Sequence, residues 1–133
     1  MTLADIRDWL KTIRVGAEHY YAGKIDAGKE KVIGVYERPE YGPAEVALGG
    51  LETTKTLHRR LSILVHWNRN AKETESAARY LYNNLLCAEN VTIGESHIDV
   101  LALGVPYPVD VGTDDSGIFE RVIWLDLYYQ KED

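Results

Sequence analysis

The sequence predicts an α+β fold, with two main helices packed on one face of a largely antiparallel sheet. Two stretches have apolar residues at helical spacing. Several others alternate apolar and polar residues as strands do. Most of the strand candidates follow one another directly, which favours antiparallel pairing over βαβ crossovers. The 133 residues fit one domain, 1–133.

The first helix is expected over about residues 2–15. Leu3, Ile6, Leu10 and Ile13 share one helical face. Thr2 is a candidate N-cap with Asp5 three residues on, and Gly16 is a stop. His19-Tyr20-Tyr21-Ala22 and Lys31–Arg38 read as strands. Asp26-Ala27-Gly28-Lys29 between them is rich enough in turn residues to close a hairpin. Pro39–Pro43 reads as a loop and Val46-Ala47-Leu48 as a short edge strand.

Leu57–Trp67 is the clearest strand. Leu57, Leu61, Ile63, Val65 and Trp67 share one parity, broken by Arg59. His58, Arg60, Ser62, Leu64 and His66 share the other. The second helix is expected over about residues 70–87, with Asn70 as its cap, Glu73 as capping-box partner, and Ala77, Ala78, Leu81, Tyr82 and Leu85 as its apolar face. Val91–Ile93 and His97–Leu103 read as strands. Pro106 and Pro108 mark an extended stretch, and Val111–Gly117 a polar loop. Ile118–Gln130 is a long final strand. Phe119, Ile123, Leu125, Leu127 and Tyr129 lie on one face, and Ile118, Glu120, Val122, Trp124, Asp126 and Tyr128 on the other.

On the two longest strands this second face is neither clean core nor clean solvent. Such a surface either meets another chain or is covered by the protein's own loops. The aromatic set of nine Tyr, three Trp and one Phe suits half-wet surfaces of this kind.

Composition excludes several classes. Hydrophobic residues at 45% and charged residues at 27% are ordinary globular usage. A net charge of −6 disfavours general nucleic-acid binding, because an acidic chain gains nothing from counterion release. The lone Cys87 has no internal disulfide partner, which fits a reducing cytoplasm. Met1–Asp8 carries acids where a signal peptide is basic and then apolar, and no apolar run is long enough for a membrane span.

No stretch carries a complete catalytic signature. Gly23–Glu30 fits the glycine and lysine spacing of a phosphate-binding loop. However, Glu30 stands where the magnesium-holding hydroxyl belongs, and a strand follows where a helix is needed. His58 and His66 can share a strand face but lie about 26 Å apart along it, too far for one metal. Asp110, Asp114 and Asp115 do not match a calcium-loop spacing and read as turn residues. No catalytic residue, metal ligand or cofactor is expected, and the chain does not read as an enzyme.

Three stretches together resemble a known family. They are Gly49-Gly50-Leu51-Glu52, Ile63–Asn68 running into Lys72-Glu73-Thr74-Glu75, and Pro106–Arg121. Gly23–Asp26 and Gly34-Val35-Tyr36 add to them. The chain resembles, from about Gly23 to Tyr129, the phage minor capsid proteins of tailed phages and prophages of Gram-positive bacteria. Its size and layout are similar to siphophage tail-terminator proteins. The resemblance implies a tail-terminator-like fold and a structural role in tail completion and head–tail joining. It implies a homo-oligomeric ring, usually of six subunits, with the phage tail tube protein and head–tail connector proteins as partners. The protein would be assembled in the bacterial host cytoplasm and would end in the virion. A head-completion or connector role is the alternative, as is a non-catalytic bacterial binding module. The expected assembly interface comprises Asp110, Gly112, Thr113, Asp114, Asp115 and Gly117 in the polar loop, with Trp124 and Tyr128 on the mixed sheet face.

Overall fold

A computed structural model describes residues 1–39 and 56–130. In chain order the elements are α1 (Leu3–Lys11), β1 (His19–Ala22), β2 (Val32–Glu37), β3 (Thr56–His66), α2 (Ala71–Leu86), β4 (Thr92–Ile93), β5 (Ser96–Leu103), β6 (Val109–Thr113) and β7 (Phe119–Gln130). The expected edge strand Val46–Leu48 and the motif Gly49–Glu52 lie outside the described residues.

The expected architecture needs correction. The molecule is not two main helices packed on a sheet, and the sheet is mixed, with β1–β2 parallel and the other pairs antiparallel. It is a seven-stranded mixed sheet curled into a half-barrel. The strand order is β1-β2-β3-β7-β5-β4, and β6 also pairs with β7. Helix α1 shows the curl directly, because it touches β1 and β2 at one end of this path and β4 at the other. Laid flat, the six strands would separate those ends by about 24 Å at ~4.8 Å per strand. A nine-residue helix is only about 14 Å long. Both contacts require the sheet to bend around it. Helix α2 packs separately, against β7, β5 and β3.

A second correction concerns β1 and β2. They pair in parallel, His19 opposite Val32 and Ala22 opposite Val35, so the segment between them does not close a hairpin. It is a crossover without a helix. That is feasible because β1 has only four residues, and the chain has to return only about 10 Å.

Helix α1 starts at the expected cap. Thr2 Oγ1 accepts from the Asp5 amide at 3.1 Å, and Asp5 Oδ2 accepts from the Thr2 amide at 2.8 Å. It ends at Lys11, well before Gly16, with Arg14 already in the left-handed region. In α2, Asn70 Oδ1 accepts from the Glu73 amide. Glu73, however, turns to Asn68 Nδ2 at 2.6 Å, and the Asn70 amide donates to Asn68 Oδ1, so the box is completed one step upstream.

The polar loop expected at Val111–Gly117 is a third correction, since Val109–Thr113 is a strand paired with β7. Asp110 and Gly112 are poor strand formers and concealed it. The structure accommodates them with a β-bulge between Asp110 and Gly112 and a left-handed Gly112 at φ 87°. Only Asp114–Gly117 is a tight turn. It is closed by Asp114 N–H to Ile118 O and Gly117 N–H to Asp114 O, both at 3.0 Å.

The buried apolar residues form one cluster. Leu61, Ile63 and Val65 of β3 meet Ile123, Leu125 and Leu127 of β7, with Ile33 and Val35 alongside. Ile6 and Leu10 of α1 and Ala78, Leu81 and Leu85 of α2 close over them. Full burial of each large side chain stabilises the fold by about 1.5–3 kcal/mol.

Candidate functional site

The second face of the sheet is built from cross-strand pairs of β3 and β7: His58 opposite Tyr128, Arg60 opposite Asp126, Ser62 opposite Trp124, Leu64 opposite Val122, and His66 opposite Glu120. Its two ends have different fates. At the His66 end the β1–β2 crossover lies across the face. Ile25 packs against Gly34, where a Cβ would collide with it, and the Ile25 amide donates to Tyr36 Oη at 3.2 Å. His66 is fully buried, with Nδ1 at 2.8 Å from Glu120 Oε2 and Nε2 at 3.1 Å from the Ala27 carbonyl.

The Trp124 end lies open. Trp124 is 43% exposed and Val100, on neighbouring β5, is 51% exposed. Arg38, just past β2, lies over the indole at 4.6 Å and ion-pairs with Asp126. His58 stacks flat on Tyr128, with ring centroids 4.3 Å apart. Arg38 Nε and His58 Nε2 are shielded from solvent and have no hydrogen-bond partner among the described residues. The result is an aromatic and cationic patch around one carboxylate.

The β6–β7 turn is a separate feature. Asp114 Oδ1 accepts from the amides of Ser116 at 2.9 Å and Ile118 at 3.0 Å. The Ile118 amide, ahead of the Ser116 amide and the nearby His66 and Arg69, holds the Asp114 carboxyl below the usual aspartate range. Partial desolvation acts the other way. Arg69 Nε ties the turn to the start of α2 by donating to Ser116 O at 3.0 Å. Asp115 and Thr113 are exposed.

Gly23–Glu30 is the crossover itself. It leads into a strand, so no helix N-terminus faces a phosphate there. Asp110 Oδ1 accepts from the Gly112 amide within the β6 bulge, and Asp114 Oδ1 accepts from amides of its own turn. Among the described residues no group of three or more His, Cys, Asp or Glu is placed to hold a metal.

A family model described as "Bacteriophage tail terminator protein" matches residues 1–131. The chain belongs to the bacteriophage tail terminator family. Comparison with curated proteins finds no match. A tail terminator has a structural role in completing the phage tail, is a component of the virion, and interacts with other tail and head components.

In this terminator the residues expected at the interface divide into two groups. Asp110, Gly112 and Thr113 lie in β6, and Asp114, Asp115 and Gly117 in the turn after it. Trp124 and Tyr128 lie further along β7, Tyr128 about 30 Å from the turn at ~3.3 Å per residue. The structure does not bring the two groups together. Sequence parity found Trp124 and Tyr128 but missed Arg38 and Val100. Arg38 is the last residue of an expected strand whose faces are not assigned, and Val100 faces Tyr128 only through the β5–β7 register.

Proposed function

We propose that this tail terminator closes the finished tail tube as a homo-oligomeric ring and offers the head–tail connector a docking surface. Assembly takes place in the bacterial host cytoplasm. The observation that carries this reading is the presence of two unlike surfaces on one subunit: the Arg38–Trp124–Tyr128 patch, and the acidic β6–β7 turn well apart from it. A ring needs heterologous contacts, in which one surface of a copy meets a different surface of the next. A single self-complementary patch would stop at a dimer.

The test is mass by light scattering after size-exclusion chromatography, with electron microscopy, on the protein alone and with purified tail tubes that lack a terminator. Closed rings, free or on tube ends, are the expected result. A protein that stays monomeric and leaves tube ends bare overturns the proposal.

A further inference from the structure

Among the described residues, β1 has a strand neighbour on one side only, and so does β6. Strand β6 continues the line of β5 along the same side of β7. The chain leaves that line over residues 104–108, opposite Ile123 and Trp124. Tyr82 Oη pins this excursion by donating to the Val105 carbonyl at 2.8 Å, and Arg121 Nη1 by donating to the Pro108 carbonyl at 3.2 Å.

Strand β6 is short and bulged, as edge strands often are, but it carries no Lys. Lys or inward-pointing charges ordinarily blunt an open strand. Here Val100 of β5 and Val111 of β6 are 51 and 50% exposed, Tyr107 in the excursion between them is 56% exposed, and Trp124 lies on β7. Exposed apolar side chains along a strand with a neighbour on one side only form a template for another strand.

Strand polarity identifies a strand that fits. β1 is parallel to β2, β2 is antiparallel to β3, and β3 is antiparallel to β7, so β1 and β7 run the same way. β6 runs against β7 and therefore against β1. A second copy that extends the sheet sideways, in the same orientation, presents its β1 antiparallel to β6. The two strands match in length, at four and five residues. The bulge at Asp110–Gly112 interrupts any long ladder, which suits a short partner.

Charge separates this pairing from β6 meeting its own copy. β6 carries Asp110 and runs into Asp114 and Asp115, so a two-fold β6–β6 contact would set acids against acids. His19-Tyr20-Tyr21-Ala22 carries none.

We infer that β6 of one subunit pairs antiparallel with β1 of the next, so that the sheet continues from copy to copy around the ring. This inference rests on the ring reading above and adds a sheet-edge contact to the two surfaces named there.

The test is disulfide trapping in a Cys87→Ser background. Val111→Cys protein is mixed in turn with His19→Cys, Tyr20→Cys, Tyr21→Cys and Ala22→Cys proteins and oxidised on tail tubes. Antiparallel neighbours have Cα atoms about 4.5–5.5 Å apart, within disulfide reach. The expected result is a cross-linked dimer of unlike chains for at least one of the four. A chain carrying both cysteines of that pair should give a ladder of higher multimers. Val111→Cys cross-linking only to itself overturns the pairing in favour of a two-fold contact. Rings on tube ends with no cross-link from any of the four overturn the pairing while leaving the ring intact. If the Cys87→Ser protein itself does not assemble on tubes, the ring reading fails and the contact fails with it.

Discussion

His66 on β3 and Glu120 on β7 are directly opposed in the sheet, and the His66 Nδ1 to Glu120 Oε2 separation is 2.8 Å. The other ring nitrogen faces the Ala27 carbonyl, so one buried imidazole fastens two strands and the β1–β2 crossover together. Truncating Glu120 leaves a buried ring N–H unpaired. Glu120→Ala is expected to cost about 1–3 kcal/mol in urea unfolding, and Glu120→Gln, which can still accept, less. Equal losses for the two variants would mean that the bond itself contributes little.

The crossover is packed against a glycine. A methyl at Gly34 would strike Ile25 Cγ2. Gly34→Ala is expected to destabilise by about 1–3 kcal/mol, as overpacked sites do. Adding Ile25→Ala should recover part of that loss, a coupling visible in a double-mutant cycle. Strictly additive effects would show that the two side chains do not compete for the same space.

Asp114 makes the β6–β7 turn sensitive to acid. Its carboxyl is held below its ordinary value of 3.8, so the charged form is favoured in the folded state. That contribution is fully present above 3.8 and is lost as pH falls through the lower, folded value. The stability gap between the native protein and Asp114→Ala should therefore be constant around neutrality and close in strong acid. A gap that persists unchanged in acid would assign the loss to packing instead of charge.

Trp124 separates folding from assembly. The indole is 43% exposed and its main polar neighbour is Arg38. Trp124→Glu should cost about 1 kcal/mol through the lost cation–π contact. It should at the same time abolish rings on tail tubes. Cooperative unfolding at much lower urea would mark Trp124 as packing, and unchanged ring formation would remove it from the interface.

Helix α1 supplies Ile6 and Leu10, both essentially inaccessible to solvent. Ile6→Ala should cost about 2–5 kcal/mol, measured by thermal or urea unfolding. A loss below 1 kcal/mol would indicate that the helix is not integral to the core.

Much of the local structure was legible in the residues. His19–Ala22 is a strand at the expected bounds, α2 lies within a residue of its expected ends, and the parity of Leu61, Ile63, Val65, Ile123, Leu125 and Leu127 marks the core face. These are short-range signals: periodicity, caps and turn residues. The arrangement in space was harder to read. Whether Gly23–Lys31 folds back as a hairpin or crosses to a parallel partner depends on what Ile25 and Ala27 find on the far side of the sheet. No spacing encodes that. The curl arises where α1 meets β4, elements separated by most of the chain. β6 was hidden by Asp110 and Gly112, which stand as turn residues in a list but as a bulge in a ladder. The mixed face was visible from parity alone, yet parity left open whether loops or another chain covered it. The His66 end is covered by the crossover, whereas Trp124 at the other end is 43% exposed.

The contact of α1 with both ends of the strand path has a mechanical consequence. A curved sheet held only at its middle can flatten. One whose two margins lean on a common helix behaves as an arch on its abutments, and its curvature is set by what stands between them. The radius of this sheet is therefore governed by the few side chains of an eleven-residue N-terminal stretch capped at Thr2. Thinning that wedge, as Ile6→Ala does, changes the span of the arch as well as its strength. For the proposed ring on a tail tube, span is the dimension that has to fit.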